Sequence, residues 1–155
     1  LTEKGKELFL EDDIQLYSKK AGKDKKLESP ENIREKQMFY APELKQKIDF
    51  LTQSLMEENF VNLQQRLEKE SMPKGVAVIF YGAPGTGKTE TAMQIARKTG
   101  RKVYHVDISA SKSCWFGESE KIIKRIFTDY AAMCKDEEQK PILLFNEADA
   151  LFSRR

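Results

Sequence analysis

A chain of 155 residues that is 39% hydrophobic and 34% charged has room for one modest core and no more. A formal charge of +2, from 27 basic and 25 acidic residues, makes no electrostatic case for nucleic acid as a partner. No apolar run approaches the roughly 20 residues of a membrane span, and Leu8-Phe9-Leu10 is too short and too closely flanked by charge for a signal peptide.

Residues 1–36 hold nine Lys/Arg and nine Asp/Glu, with a patch running from Lys19 to Lys26. They read as a charged segment, a short helix over Glu3 to Tyr17 followed by a solvated linker; a docking site for an acidic partner is the sharper alternative. Ser29-Pro30-Glu31 has the form of a helix start, Ser as N-cap and Pro at the first helical position. Two amphipathic helices follow. Glu43 to Leu55 puts Leu44, Ile48, Leu51 and Leu55 in phase, and Glu57 to Glu70 puts Phe60, Leu63, Gln64 and Leu67 on one face, both packing onto the sheet expected next.

Val76-Ala77-Val78-Ile79-Phe80-Tyr81 is a continuous apolar run, which predicts a strand buried on both faces of a parallel sheet. It leads into Gly82-Ala83-Pro84-Gly85-Thr86-Gly87-Lys88-Thr89, which matches the phosphate-binding pattern G-x-x-x-x-G-K-[S/T] at every fixed position. Glycines let consecutive backbone N–H groups curl around an anion. Lys88 supplies a mobile charge for the β- and γ-phosphates, and Thr89 a hydroxyl for Mg²⁺. Residues Ala83 to Glu90 are therefore the expected nucleotide contacts: Ala83, Pro84, Gly85, Thr86, Gly87, Lys88, Thr89 and Glu90. Lys88 to Thr99 reads as the helix that follows, with Gly100 as its stop. The competing reading is a Gly-rich turn with no ligand.

The remaining half alternates strand and helix: Val103 to Ile108, then Glu120 to Cys134 with Ile122, Ile123, Ile126, Phe127, Tyr130 and Met133 on one face, then Pro141 to Asn146. This order implies an α/β fold with a parallel sheet and right-handed crossovers. His105, the single histidine, reads as a packing or edge residue. Cys114 and Cys134 lack metal-ligand spacing and read as free thiols of a cytoplasmic chain.

The third strand ends in Leu143-Leu144-Phe145-Asn146-Glu147, similar to the second motif of P-loop ATPases, in which an Asp supports the hydrated Mg²⁺ and the following Glu polarises the attacking water. Glu147 keeps the second role. Asn146 stands at the Asp position; it offers a carbonyl oxygen but no negative charge. Either the metal leans on Thr89 and the phosphates, or hydrolysis is slow or regulated.

Between the two motifs lies Trp115-Phe116-Gly117, followed by Glu118-Ser119-Glu120. Here the chain resembles the AAA family of ATPases, in particular the remodelling branch with katanin-like and protease-linked members. The resemblance covers Met72 to Arg155 in ordered motifs and, more weakly, Phe39 to Glu70. It implies a three-layer α/β/α P-loop domain occupying residues 37–155, truncated after the third core strand and preceded by a helical segment. It also implies ATP and Mg²⁺ as cofactors, and a ring, usually a hexamer, threading a polypeptide client. Trp115, Phe116 and Gly117 then form a pore loop, in which Gly117 turns sharply and a rigid aromatic gives sequence-tolerant contact; core burial of Trp115 and Phe116 is the alternative. Met38, Phe39, Tyr40 and Ala41 fall where the family touches adenine.

The chain reads as a piece of something longer. The family's fourth strand, sensor residues, arginine fingers and helical lid lie beyond the matched motifs, so the piece alone is expected not to hydrolyse ATP. That fourth strand belongs between the first and third. Its absence predicts direct pairing of Val76–Tyr81 with Ile142–Asn146, a borrowed strand, or a longer parent chain. Two other functions share these motifs: a nucleotide-responsive module with weak or no hydrolysis, and a DNA-associated P-loop ATPase such as a helicase-loader relative.

Overall fold

The computed structural model describes residues 27–107 and 115–148, with 115–120 described as backbone alone. The expected helix over Glu3 to Tyr17 and the Lys19–Lys26 patch, like Cys114, lie outside these residues. The chain divides into two compact units, Ser29–Val103 and a second that includes Tyr104 onward together with Leu27 and Glu28.

In the first unit the Ser-Pro-Glu signal yields only a 3-10 turn, Pro30–Asn32. Ser29 makes no side-chain cap, and Ile33 leaves the turn in an extended conformation. The expected helix is not continued because the carbonyls of Ile33 and Arg34 and the N–H of Lys36 bond to side chains of a later helix instead. Helix α1 (Pro42–Leu55) has proline in its first turn, where no N–H is needed, and buries Ile48 and Thr52. Leu44, expected in phase with them, is exposed. Met56 is a one-residue corner: its N–H bonds to Gln53 while its carbonyl accepts from Phe60, opening α2 (Glu57–Lys69). Glu57 and Glu58 at the start of α2, with Arg66 and Lys69 at its end, complement the helix dipole.

Helix α3 (Lys88–Thr99) has the bounds that its sequence predicts and buries Thr91, Ala92, Gln94, Ile95, Ala96 and Thr99. Gly100 closes it in the left-handed conformation at φ 70°. Within this unit α1 packs against both α2 and α3, and the 3-10 turn packs on α3.

The run Val76–Tyr81 corrects the sequence reading. It forms no strand, and Ile79 and Tyr81 are 80% and 91% exposed. Apolar character selects an interior position, but a strand exists only through ladder hydrogen bonds. The described sheet contains two other segments alone, so this run has no ladder partner among the described residues.

The second unit is a β-α-β crossover: β1 (Val103–Asp107), α4 (Trp115–Asp136) and β2 (Ile142–Asn146), with the strands adjacent and parallel. This is the arrangement of an α/β fold. Tyr104, Val106, Ile122 and Ile126 form its core, flanked by Tyr130, Met133, Leu143 and Phe145. Phe127 and Phe145 meet with ring centroids 5.9 Å apart, and the Tyr130 hydroxyl donates to the Pro141 carbonyl at 2.7 Å, tying α4 to the entry of β2. His105 and Asp107 face outward from β1.

Helix α4 begins at Trp115, earlier than the predicted Glu120. Trp115, Phe116 and Gly117 therefore have helical backbone, and the sharp turn expected at Gly117 is absent. Glycine in a helix costs about 1 kcal/mol relative to alanine. The amphipathic face of a 22-residue helix outweighs that.

Candidate phosphate-binding site

Three glycines shape the loop before α3: Gly82 at φ 146°, Gly85 at φ 77° and Gly87 at φ 84°, all in the region that favours glycine. At Gly85 a side chain would meet nothing within 4 Å, so the backbone angle alone requires glycine there. At Gly87 a Cβ would lie 2.9 Å from the Met38 Cε, the end of a flexible side chain that can shift aside, so here too the backbone angle carries the demand for glycine. Gly87 is also the N-cap of α3: its carbonyl accepts from the Thr91 N–H at 2.8 Å. The Thr86 hydroxyl donates to the Ala83 carbonyl at 2.8 Å and closes the loop on itself.

Lys88 bends back across this loop, its Nζ donating to the carbonyls of Gly82 at 3.0 Å and Ala83 at 2.8 Å. A cation is thus held over a concave, glycine-built backbone at the start of a helix, whose first turn offers N–H groups that its own carbonyls cannot reach. The chemistry of this arrangement suits a phosphate anion, and side chains at Gly85 or Gly87 would disturb its backbone. Gly82 through Thr86 are exposed, and Gly87 through Glu90 are half-buried.

One flank of α3 is lined by the extended segment Ile33–Tyr40, whose role composition does not signal. Gln94 donates to the Arg34 carbonyl at 2.9 Å and accepts from the Lys36 N–H at 3.3 Å. Arg97 donates to the Ile33 carbonyl and pairs with Glu35, both at 3.1 Å. The Lys36 ammonium meets the Glu90 carboxylate at 2.5 Å, and the Gln94 amide donates to the other Glu90 oxygen at 2.8 Å. The Lys36 hydrogen bond, followed by that from Gln94, holds the Glu90 carboxyl below its ordinary pKa. Of the four positions proposed from sequence for adenine, Met38 touches the Gly87 region and Tyr40 touches Thr91, whereas Phe39 and Ala41 are exposed.

Sequence reasoning also passed over Arg101. Its side chain is 2% exposed, beyond the end of α3. It donates to the Leu55 carbonyl at 2.9 Å and pairs with Glu57 at 2.8 Å. An arginine following a helix-stop glycine carries no sequence mark of burial.

In the second unit Asn146 is the last residue of β2 and is half-buried. Glu147 follows with φ 54°, a left-handed backbone that is uncommon outside glycine and clusters at functional positions. Its side chain is exposed. Among the described residues Cys134 is a free thiol, and no helix is long and apolar enough to cross a membrane.

Residues 78–155 match the model of the ATPase family associated with various cellular activities, AAA. The chain is 37% identical over 83 residues to fidgetin-like protein 1 of Drosophila melanogaster, covering 54% of this chain and 14% of that protein. It is 35% identical over 83 residues to fidgetin-like protein 1 of Homo sapiens, 54% of this chain and 11% of that one. With cell division protein C of Sulfolobus acidocaldarius it shares 35% identity over 79 residues, 51% of this chain and 21% of that protein. The chain thus spans between a tenth and a quarter of the length of these relatives. No solved structure matches it significantly.

Proposed function

Because the chain belongs to the AAA family of ATPases, we propose that it is the ATP-binding part of a ring ATPase, a hexamer in its full-length form, that couples ATP hydrolysis to the remodelling or threading of polypeptides in the cytoplasm. The observation that carries this reading is the glycine cradle with Lys88 folded across it at the head of α3. In the reading, residues 37–155 are the partial ATPase module and 1–36 a charged helical and linker segment.

Residues Ala83 to Glu90 receive the phosphates, with Lys88 exchanging its two loop carbonyls for phosphate oxygens. Thr89 and Asn146 are the residues that would hold Mg²⁺, which when bound neutralises phosphate charge. Glu147, at the end of β2, orients and deprotonates the attacking water. Its backbone is left-handed, at φ 54°. Trp115, Phe116 and Gly117, at the start of α4, contact the client. Turnover belongs to the assembled ring, where a neighbour supplies the arginine that stabilises phosphoryl transfer.

Steady-state ATP turnover of the full-length protein tests this. Lys88→Ala abolishes nucleotide binding, and Glu147→Gln retains binding while stopping turnover. Binding by Lys88→Ala equal to that of the parent overturns the assignment. A second reading, a nucleotide-responsive module with weak or no hydrolysis, is favoured by Asn146 alone. A large gain in turnover on Asn146→Asp supports that reading; little change supports the enzyme.

A further inference from the structure

We propose that Tyr40 is a positioning residue for the phosphate loop, acting through Thr91 on the peptide group that joins Gly87 to Lys88. The inference rests on the phosphate-binding reading above and adds to it a residue outside the loop motif. Tyr40 Oη lies 3.0 Å from Thr91 Oγ1, and Thr91 Oγ1 lies 2.9 Å from the Gly87 carbonyl oxygen. A carbonyl cannot donate, so the single hydroxyl proton of Thr91 goes to Gly87. Tyr40 is therefore the donor to Thr91. The chain runs one way, from Tyr40 O–H to Thr91 O–H to Gly87 C=O, and each bond polarises the next.

The consequence for the loop follows from peptide geometry. In a trans peptide the carbonyl of one residue and the N–H of the next point in opposite directions within one rigid plane. No cis peptide occurs among the described residues. The Gly87 carbonyl accepts from both the Thr91 hydroxyl and the Thr91 N–H, the latter at 2.8 Å, and these bonds aim it down the helix. They thereby aim the Lys88 N–H out of the helix start, toward the cradle. Gly87 sits at φ 84°, where a glycine peptide has wide freedom to rotate.

Tyr40 can do this because its segment is anchored independently of it. Bonds donated by Gln94 and Arg97 to the carbonyls of Arg34 and Ile33, and by Lys36 to Gln94 and Glu90, hold residues Ile33 to Lys36 along α3. The role differs from contact with a base. It predicts an effect on anything bearing the phosphates, with or without adenine.

The test uses the full-length protein, with Mg-ATP and inorganic tripolyphosphate as probes, the latter by competition. Tyr40→Phe removes one hydroxyl and keeps the ring. It is expected to weaken both probes by the same factor, about threefold to tenfold for one hydrogen bond. Thr91→Ser keeps both bonds and is expected to bind as the parent does. Thr91→Val weakens binding at least as much as Tyr40→Phe, and the double variant is no worse than Thr91→Val alone. Amide exchange at Lys88 quickens in Tyr40→Phe by more than exchange at amides of α3 remote from the loop. Unchanged affinity in Tyr40→Phe overturns the proposal, as does a loss confined to ATP, which would make Tyr40 a base contact. If Lys88→Ala binds ATP as the parent does, the phosphate-binding reading fails and this inference falls with it. Loss of binding in Lys88→Ala beside an unaffected Tyr40→Phe overturns the inference alone.

Discussion

The guanidinium of Arg101 lies 4.5 Å from the centroid of the Phe60 ring, buried between the end of α3 and the corner joining α1 to α2. A buried cation is tolerated only when its charge and donors are matched. Arg101 meets this with the Phe60 face, the Leu55 carbonyl and the Glu57 carboxylate, itself 41% exposed. The contact fastens the helix that starts at the phosphate loop to the two helices beside it.

Arg101→Ala is therefore expected to lower stability by about 2–4 kcal/mol, through lost packing and an unpaired Leu55 carbonyl. Arg101→Met, which refills most of the stem volume, should lose less. Urea unfolding followed by circular dichroism measures both.

Gly87→Ala meets the left-handed backbone at φ 84°, while the Met38 methyl, the end of a flexible side chain, can shift aside. We expect a loss of about 1–2 kcal/mol together with weakened nucleotide binding. Gly75→Ala is the control. A Cβ there meets nothing within 4 Å, so its effect should stay within about 0.5 kcal/mol by thermal melting.

The Lys36–Glu90 pair links stability to pH. Its folded-state pKa is depressed, so Glu90 contributes stability above the ordinary value of 4.5 and loses it as pH falls through that value and the lower folded one. The Lys36 side chain is 54% exposed, and solvent screening limits the pair to at most about 1 kcal/mol. Lys36→Met should therefore be slightly less stable than the parent at neutral pH, with the difference vanishing under acid and shrinking in salt. A difference that persists at low pH would assign the loss to packing of the lysine stem.

Nucleotide should stabilise the parent and not Lys88→Met. At a hundredfold excess over the dissociation constant, binding adds about 2.7 kcal/mol. Thermal shift with and without Mg-ATP reads this directly, and an equal shift in both proteins would remove Lys88 from the site.

How much of this was legible in the sequence depends on the reach of each signal. Helix α3 was readable to both ends because its start and stop are local: Gly87 and Gly100 both take left-handed backbone that glycine provides without steric cost. The phosphate loop was readable for the same reason, since its glycines answer to their own φ angles. Helix α2 was nearly so, its apolar spacing and the Phe60 position agreeing with the structure. The start of α4 was misread because Gly117 weakens a helix without forbidding it.

The sequence by itself determined the cradle, the helix behind it and the β-α-β alternation, because steric limits and side-chain periodicity act within a few residues. Tertiary structure alone decided three further matters. Val76–Tyr81 has strand composition and no ladder partner among the described residues, and pairing is a property of two segments rather than one. The segment Ile33–Tyr40 follows a helix-start signal, yet only a 3-10 turn forms and its backbone groups meet Gln94 and Arg97 across more than fifty residues of sequence. Arg101 looks like a surface cation until Phe60 and Glu57 surround it. In each case the energy lies in a partner distant along the chain, which local pattern cannot register.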